Sequence, residues 1–265
     1  MKSEVFNGQR FWNWFKYDLT QMWRNQMKSA IGIGFSGLFI YILTVCYNLV
    51  FNKTWEGSDE STRMAVLLFA FIFLELSQVK TYGFLTRKDR GSAWLMAPAS
   101  TFEKWASIIL MTLVVIPGLF FIAFLGTDWI LCLLDHSIGD SLVLSLGDAG
   151  ASFSNEVASG NIPFGWGTVI ALGISSLWVN FLYFVLCGMC FKKNKLLWAL
   201  LVIFGLSMVF SLIGSSVLAM GGGIDVNIET VEELMPYLHS FILICFLLAV
   251  GLAWGIYYRL ETLKH

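Results

Sequence analysis

Residues 105–134 read WASIILMTLVVIPGLFFIAFLGTDWILCLL, and the first 23 of these 30 positions carry no charge. A helix needs about 20 largely apolar residues to cross a hydrocarbon core about 30 Å thick. The stretch therefore predicts a membrane span that ends near Asp128, with Trp129 at the interface. Five more stretches reach the same length, at about Ala30–Phe51, Met64–Phe84, Gly167–Cys190, Leu196–Met220 and Leu238–Tyr258. The first is too long for a signal-peptide core, and no small-residue cleavage site follows it.

The composition of the whole 265-residue chain agrees with a lipid solvent. Hydrophobic residues make up 57% and charged residues 13%, with 23 Phe, 11 Trp and a mean hydropathy of +0.71, whereas a soluble domain carries about 25% charge. Seventeen Lys and Arg against 18 Asp and Glu give a net charge of −1, so the broad basic field that binds nucleic acid is missing and no nucleic-acid partner is expected. The expected fold is an all-α membrane protein of six transmembrane helices.

Lys and Arg concentrate in segments that stay in the cytoplasm. Fifteen fall on one predicted side: Lys2, Arg10, Lys16, Arg24 and Lys28, then Lys80, Arg87, Lys88, Arg90 and Lys104, then Lys192, Lys193 and Lys195, and finally Arg259 and Lys264. Only Lys53 and Arg63 fall on the other. Both termini are thus expected in the cytoplasm. The outer loops, at about 135–163 and 221–237, are acidic, with Asp135, Asp140, Asp148 and Glu156 in one and Asp225, Glu229, Glu232 and Glu233 in the other. The 135–163 loop is rich in Gly, Ser, Asp and Asn and reads as an exposed connection.

Residues 1–29 carry Phe11, Trp12, Phe15, Leu19, Met22 and Trp23 at helical spacing with charges around them. This predicts an amphipathic helix lying in the inner interface, as a plain anchor or with a mechanistic part. Residues 30–265 then form the transmembrane domain. Gly221-Gly222-Gly223 opens the last outer loop, Thr230 and Glu233 are spaced as a capping box, and Pro236 is placed to kink or break the helix that follows.

Cys46, Cys132, Cys187, Cys190 and Cys245 lie in or beside apolar spans and read as small hydrophobes. Cys187-x-x-Cys190 lacks the further ligands of a zinc site, and no metal is expected. Small residues recur four apart at Ser207, Ser211, Ser215 and Ala219, at Gly167, Ala171 and Ser175, at Gly251 and Gly255, and at Gly32 and Ser36. Such rows let helices approach closely, within one chain or against a second subunit.

Among the polar residues inside spans, Glu75, Gln78 and Asn180 are the candidates for chemistry. An unpaired carboxylate at that depth is costly. Glu75 either serves proton coupling or substrate contact, or makes a structural hydrogen bond across helices, with Gln78, three residues on, expected to share its face and Asn180 a candidate partner. Gly34-Phe35-Ser36-Gly37 matches the G-x-S-G of rhomboid-like proteases, but a serine nucleophile needs a nearby base, and His136, His239 and His265 are all expected elsewhere. H-E-x-x-H and the P-loop motif G-x-x-x-x-G-K-[ST] are absent. The chain is therefore not read as an enzyme, and ATP-driven work would fall to a partner.

The connection between spans 2 and 3, about 86–104, runs TRKDRGSAWLMAPASTFEK. Pro98 favours a break at Ala97, and Ser100 with Glu103 forms a capping box for the helix that follows. The segment between has room for a short helix exposing Trp94 and Met96 beside basic residues, an aromatic anchor suited to protein docking or, more simply, to inner-side charge and anionic lipid.

Here the sequence resembles the membrane subunits of ABC-2-type (type V) ATP-binding-cassette exporters, especially the short bacterial permeases. Their pattern places a basic residue and Gly before an apolar turn, then Leu-Pro-x-Ser and Glu-Lys. This chain has Arg90-Gly91, Trp94-Leu95-Met96, Ala97-Pro98-Ala99-Ser100 and Glu103-Lys104, with Ala97 in place of Leu. The resemblance implies a permease subunit in the bacterial cytoplasmic (inner) membrane, exporting an unidentified cargo of which an amphiphile is one option. Arg87, Lys88, Arg90, Trp94 and Glu103 would lie near the docking site of a separate ATPase, which would bind ATP and magnesium. A second permease, identical or different, would pair through spans 1 and 5, where Ser207, Ser211, Ser215 and Ala219 run. The alternatives are a proton-coupled secondary transporter built on Glu75 and a membrane scaffold that transports nothing.

Overall fold

The computed structural model describes residues 6–23, 27–51, 60–86, 91, 94–135, 138–159, 165–220 and 231–263, with the side chains of 209–220 and 231–234 outside that description. Among the described residues there is no strand. The helices are α1 Gly8–Met22, α2 Lys28–Gly34, α3 Ser36–Val50, α4 Glu60–Thr81, α5 Thr101–Leu110, α6 Ile116–Leu134, α7 Leu142–Ala158, α8 Trp166–Cys190, α9 Lys195–Met220 and α10 Val231–Leu263.

Four continuous helical stretches are long and apolar enough to cross a membrane: Glu60–Thr86, Thr101–Leu134, Trp166–Cys190 and Met235–Leu263. A fifth is reached by counting α2 and α3 together, which meet at a 44° bend. The protein is a multi-pass helical membrane protein. The bend falls where Gly34 crosses α6, because a Cβ on Gly34 would stand 2.6 Å from the Ala123 methyl. Ser36, just beyond, has a buried hydroxyl with no hydrogen-bond partner among the described residues.

The long third stretch is continuous only because it changes winding. Met111–Val115 forms a π-helical turn between α5 and α6, immediately before Pro117. Proline has no N–H to give and its ring crowds the carbonyl four residues back, and the wider turn accommodates both. α10 runs unbroken through Pro236.

α8 is the central helix, packed against α4, α9 and α10. Its contact with α4 is close because Gly188 lies directly on the Val79 carbonyl, which a methyl group would overlap. Gly255 of α10 meets Leu186 of α8 at 3.3 Å by the same measure, whereas Gly32, Gly167 and Gly251 touch nothing that needs their small size. The Lys195 ammonium, at the start of α9, enters the carbonyls left open where neighbouring helices end. It donates to Gly83 O, to Gly188 O at 2.9 Å and to the Thr86 hydroxyl at 2.6 Å.

The 135–163 connection is not simply a loop, since α7 occupies 17 of its residues. Leu142, Leu146, Phe153 and Val157 recur on one face despite the Gly- and Ser-rich composition. Leu142 is fully buried at the inner end of that face. At the other end Phe153 packs edge-on to Trp166, whose indole donates to Ser154 at 2.8 Å.

Candidate functional site

The best-built polar cluster lies where α1 meets the connection from α4 to α5. Asn7 caps α1 by accepting from the backbone of Gln9 and Arg10. The inner face of α1 is Trp14, Phe15, Asp18 and Met22, a spacing that puts a carboxylate in an apolar stripe. Asp18 is completely buried. It accepts from the Tyr82 hydroxyl at 3.0 Å, the Trp94 indole at 3.2 Å and the Ser107 hydroxyl at 2.7 Å. Burial pushes its carboxyl above the ordinary value, and the three donors only partly oppose that.

Two neighbours complete the clamp. The Lys104 ammonium donates to Leu95 O at 2.7 Å and Ala97 O at 3.0 Å, closing the turn around Pro98. It also stands 5.3 Å from the Trp14 ring and 5.6 Å from the Trp94 ring, near enough for cation–π attraction. Glu103 forms the capping box with Ser100, takes the Arg10 guanidinium at 2.8 Å and accepts from Asn7 N at 3.1 Å. One carboxylate thus starts α5 and holds the beginning of α1.

Trp94 is therefore not the exposed anchor its sequence context predicts. It is 1% exposed, because its indole N–H finds an acceptor in Asp18 and its ring packs against Trp14, 5.1 Å away. Glu103 is likewise buried. Pro98 is exposed, and Met96 is left outside at 83% exposure. A groove of about 530 Å³ runs beside it, bounded by Arg10, Asn13 and Tyr17 of α1 and by Ala97, Pro98 and Ala99. Arg87, Lys88 and Arg90 lie outside the described residues. Gly91 lies against the Leu85 carbonyl, where a side chain would collide.

Within the spans, the amide of Asn180 on α8 donates to Glu75 Oε1 on α4 at 3.3 Å. Gln78 does not join them. It is buried, donates back to Leu74 O at 3.4 Å and accepts from Thr81 at 3.2 Å. Ser207 is exposed and bonds to its own helix at Phe204 O. The side chains of Ser211, Ser215 and Ala219 lie outside the described residues, as do Lys53, Gly221-Gly222-Gly223 and Thr230.

At the opposite end a second polar cluster escaped the sequence reading. Arg63 of α4 pairs with Asp128 of α6 at 3.0 Å and donates to Asp140 O at 2.7 Å and Ile138 O at 3.4 Å. Asp128 also accepts from Leu142 N at 2.7 Å, so it starts α7. The available signal was Arg63 itself, one of only two cations that the sequence pattern assigns to the outer side, among acidic loops.

Among the described residues no group of three or more His, Cys, Asp or Glu is placed to hold a metal ion, and the five cysteines are unpaired thiols. Comparisons of the chain with protein-family models, with curated proteins and with solved structures give no match.

Proposed function

We propose that the protein is the membrane subunit of an ATP-binding-cassette exporter, with six spans, both termini in the cytoplasm and a separate ATPase docked at the end of the bundle that carries α1. α9, 26 residues long, supplies the sixth crossing in this reading. The observation that carries it is the clamp: a short turn at 94–99 projects Met96 from a base made rigid by Asp18, Glu103 and Lys104. A rigid projection with one exposed apolar tip suits force transfer from a soluble partner better than a hydrated loop does.

In this account, closure of two ATPases on ATP displaces the turn. The hydrogen bonds of Asp18 and the Arg10–Glu103 pair carry the displacement together into α1 and α5, and Tyr82 carries it into the end of α4. The arrangement alternates outward- and inward-open states of two permease subunits. Met96→Asp changes only the tip. It is expected to reduce retention of the copurifying ATPase about tenfold, while the variant elutes as a folded species. Retention equal to wild type would count against docking at this turn.

The hydrogen bond between Asn180 and Glu75 favours a second reading, a proton-coupled secondary transporter. Transport that persists without ATP, collapses with the proton gradient and is lost in Glu75→Gln would select it.

A further inference from the structure

We infer that Glu75 and Asn180 form a binding site for the ammonium headgroup of a single-chain amphiphile, with its tail along α4. This rests on the transport reading above and names its substrate class. Leu68, Ile72 and Glu75 are spaced i, i+4 and i+7 and share one face of α4. Leu68 is 65% and Ile72 50% exposed, so that face is open and apolar except at Glu75. A carboxylate facing hydrocarbon needs a polar partner, and the one hydrogen bond it makes leaves half of it unserved.

The chemistry of the remaining atoms selects the ligand. A carboxylate accepts and does not donate, so the Asn180 NH₂ must point toward it and the Asn180 carbonyl must point elsewhere. Glu75 Oε2 and Asn180 Oδ1 then have no hydrogen-bond partner among the described residues. The site offers two acceptors and a carboxylate, with the second N–H of the Asn180 amide as its one spare donor. The carboxylate repels an anion, and a carbonyl or ether takes only that one N–H and leaves both acceptors unserved. Calcium takes six to eight oxygen ligands, and no set of three acidic or metal-binding side chains stands among the described residues.

An ammonium fits, because it brings the charge and several N–H groups at once. Lys195, at the start of α9, does not serve Glu75. It is committed to Gly83, Gly188 and Thr86. From Glu75 to Leu68 the helix rises about 10 Å at 1.5 Å per residue, and that distance is lined by Ile72 and Leu68 with Phe73 and Phe69 beside them. The tail therefore lies against apolar side chains while the head meets the two oxygens.

The test uses the purified full chain without any ATPase, in phosphatidylcholine nanodiscs, and a dodecylamine carrying a photoreactive diazirine in its tail. At pH 7 such an amine is ionised, as a lysine is. Labelling is expected on the peptides that contain 64–76 and 176–184, displaced by unlabelled dodecylamine and not by dodecanol. Glu75→Gln, which keeps the shape and removes the charge, is expected to lower this labelling about tenfold, whereas Glu75→Asp retains most of it. Equal labelling of the Gln variant, equal displacement by dodecanol, or α4 crosslinked to a second copy in place of the probe would each overturn the site. None of these outcomes bears on the exporter reading, which fails separately if no ATPase copurifies.

Discussion

Asp18 has no contact with solvent and three hydrogen-bond donors aimed at it. Asp18→Ala strands the Tyr82, Trp94 and Ser107 donors in a closed interior and is expected to cost roughly 3 kcal/mol, since each unserved buried group costs about 1–3 kcal/mol. Thermal unfolding in detergent measures it. The pH dependence has a definite sign. Because burial raises the Asp18 carboxyl above its ordinary 3.8, the folded state holds the proton more tightly than the unfolded chain. The stabilisation is complete below the ordinary value and is lost as pH rises through the raised one. Stability should therefore fall across that window in the wild type, and this component should vanish in Asp18→Asn. Identical pH profiles for the two proteins would contradict the assignment. Residue identity alone did not reveal this cluster. Asp18 in sequence is one charge on an amphipathic helix, and its partners at 82, 94 and 107 are brought to it only by tertiary packing. Trp94 was misplaced for the same reason, since an aromatic in a short polar connection looks exposed until an acceptor for its N–H is known.

Helices and their contacts were more legible. The hydropathy of 105–134 and the capping residues Ser100 and Glu103 locate α5 and α6 from local chemistry alone, although α6 runs on to Leu134, past the span end expected near Asp128. The π-helical turn before Pro117 and the helix inside 135–163 were not legible. The first is a backbone response to one proline, and the second depends on Asp128 and Trp166 holding the two ends of α7. Asp128→Ala removes both the Arg63 ion pair and the acceptor for Leu142 N. It is expected to expose 142–158 to limited proteolysis at least several-fold faster while the apolar spans stay protected. Unchanged cleavage would show that α7 does not depend on that carboxylate. The contact of α4 with α8 gives a further expectation. Gly188→Ala drives a methyl into the Val79 carbonyl, and overpacking of this kind costs about 1–3 kcal/mol. A lowered midpoint of thermal aggregation in detergent is the readout, and an unaltered midpoint would mean that the two helices separate easily.

At the scale of the whole molecule the chain presents a central α8 with α4, α9 and α10 around it, and one end braced by α1. Displacing the turn at 94–99 without moving α1 would break bonds at Asp18 and Glu103 together, so under the proposed reading the N-terminal helix moves with the turn and is not only an anchor. The outward faces of α3 and α9 are apolar, exemplified by Phe39 at 62% and Phe204 at 59% exposure, as faces that meet lipid are. Composition and charge asymmetry were enough to read the membrane setting from the sequence. The energy source was not readable in the same way, and the proposed reading assigns it to a partner that meets Met96. Extraction of the tagged full chain from its native cell in a mild detergent, followed by mass spectrometry of the copurifying proteins, tests that claim most directly. The account predicts a stoichiometric subunit carrying the P-loop motif that this chain lacks, and the reproducible absence of any such subunit under conditions that preserve ATP-binding-cassette complexes would contradict it.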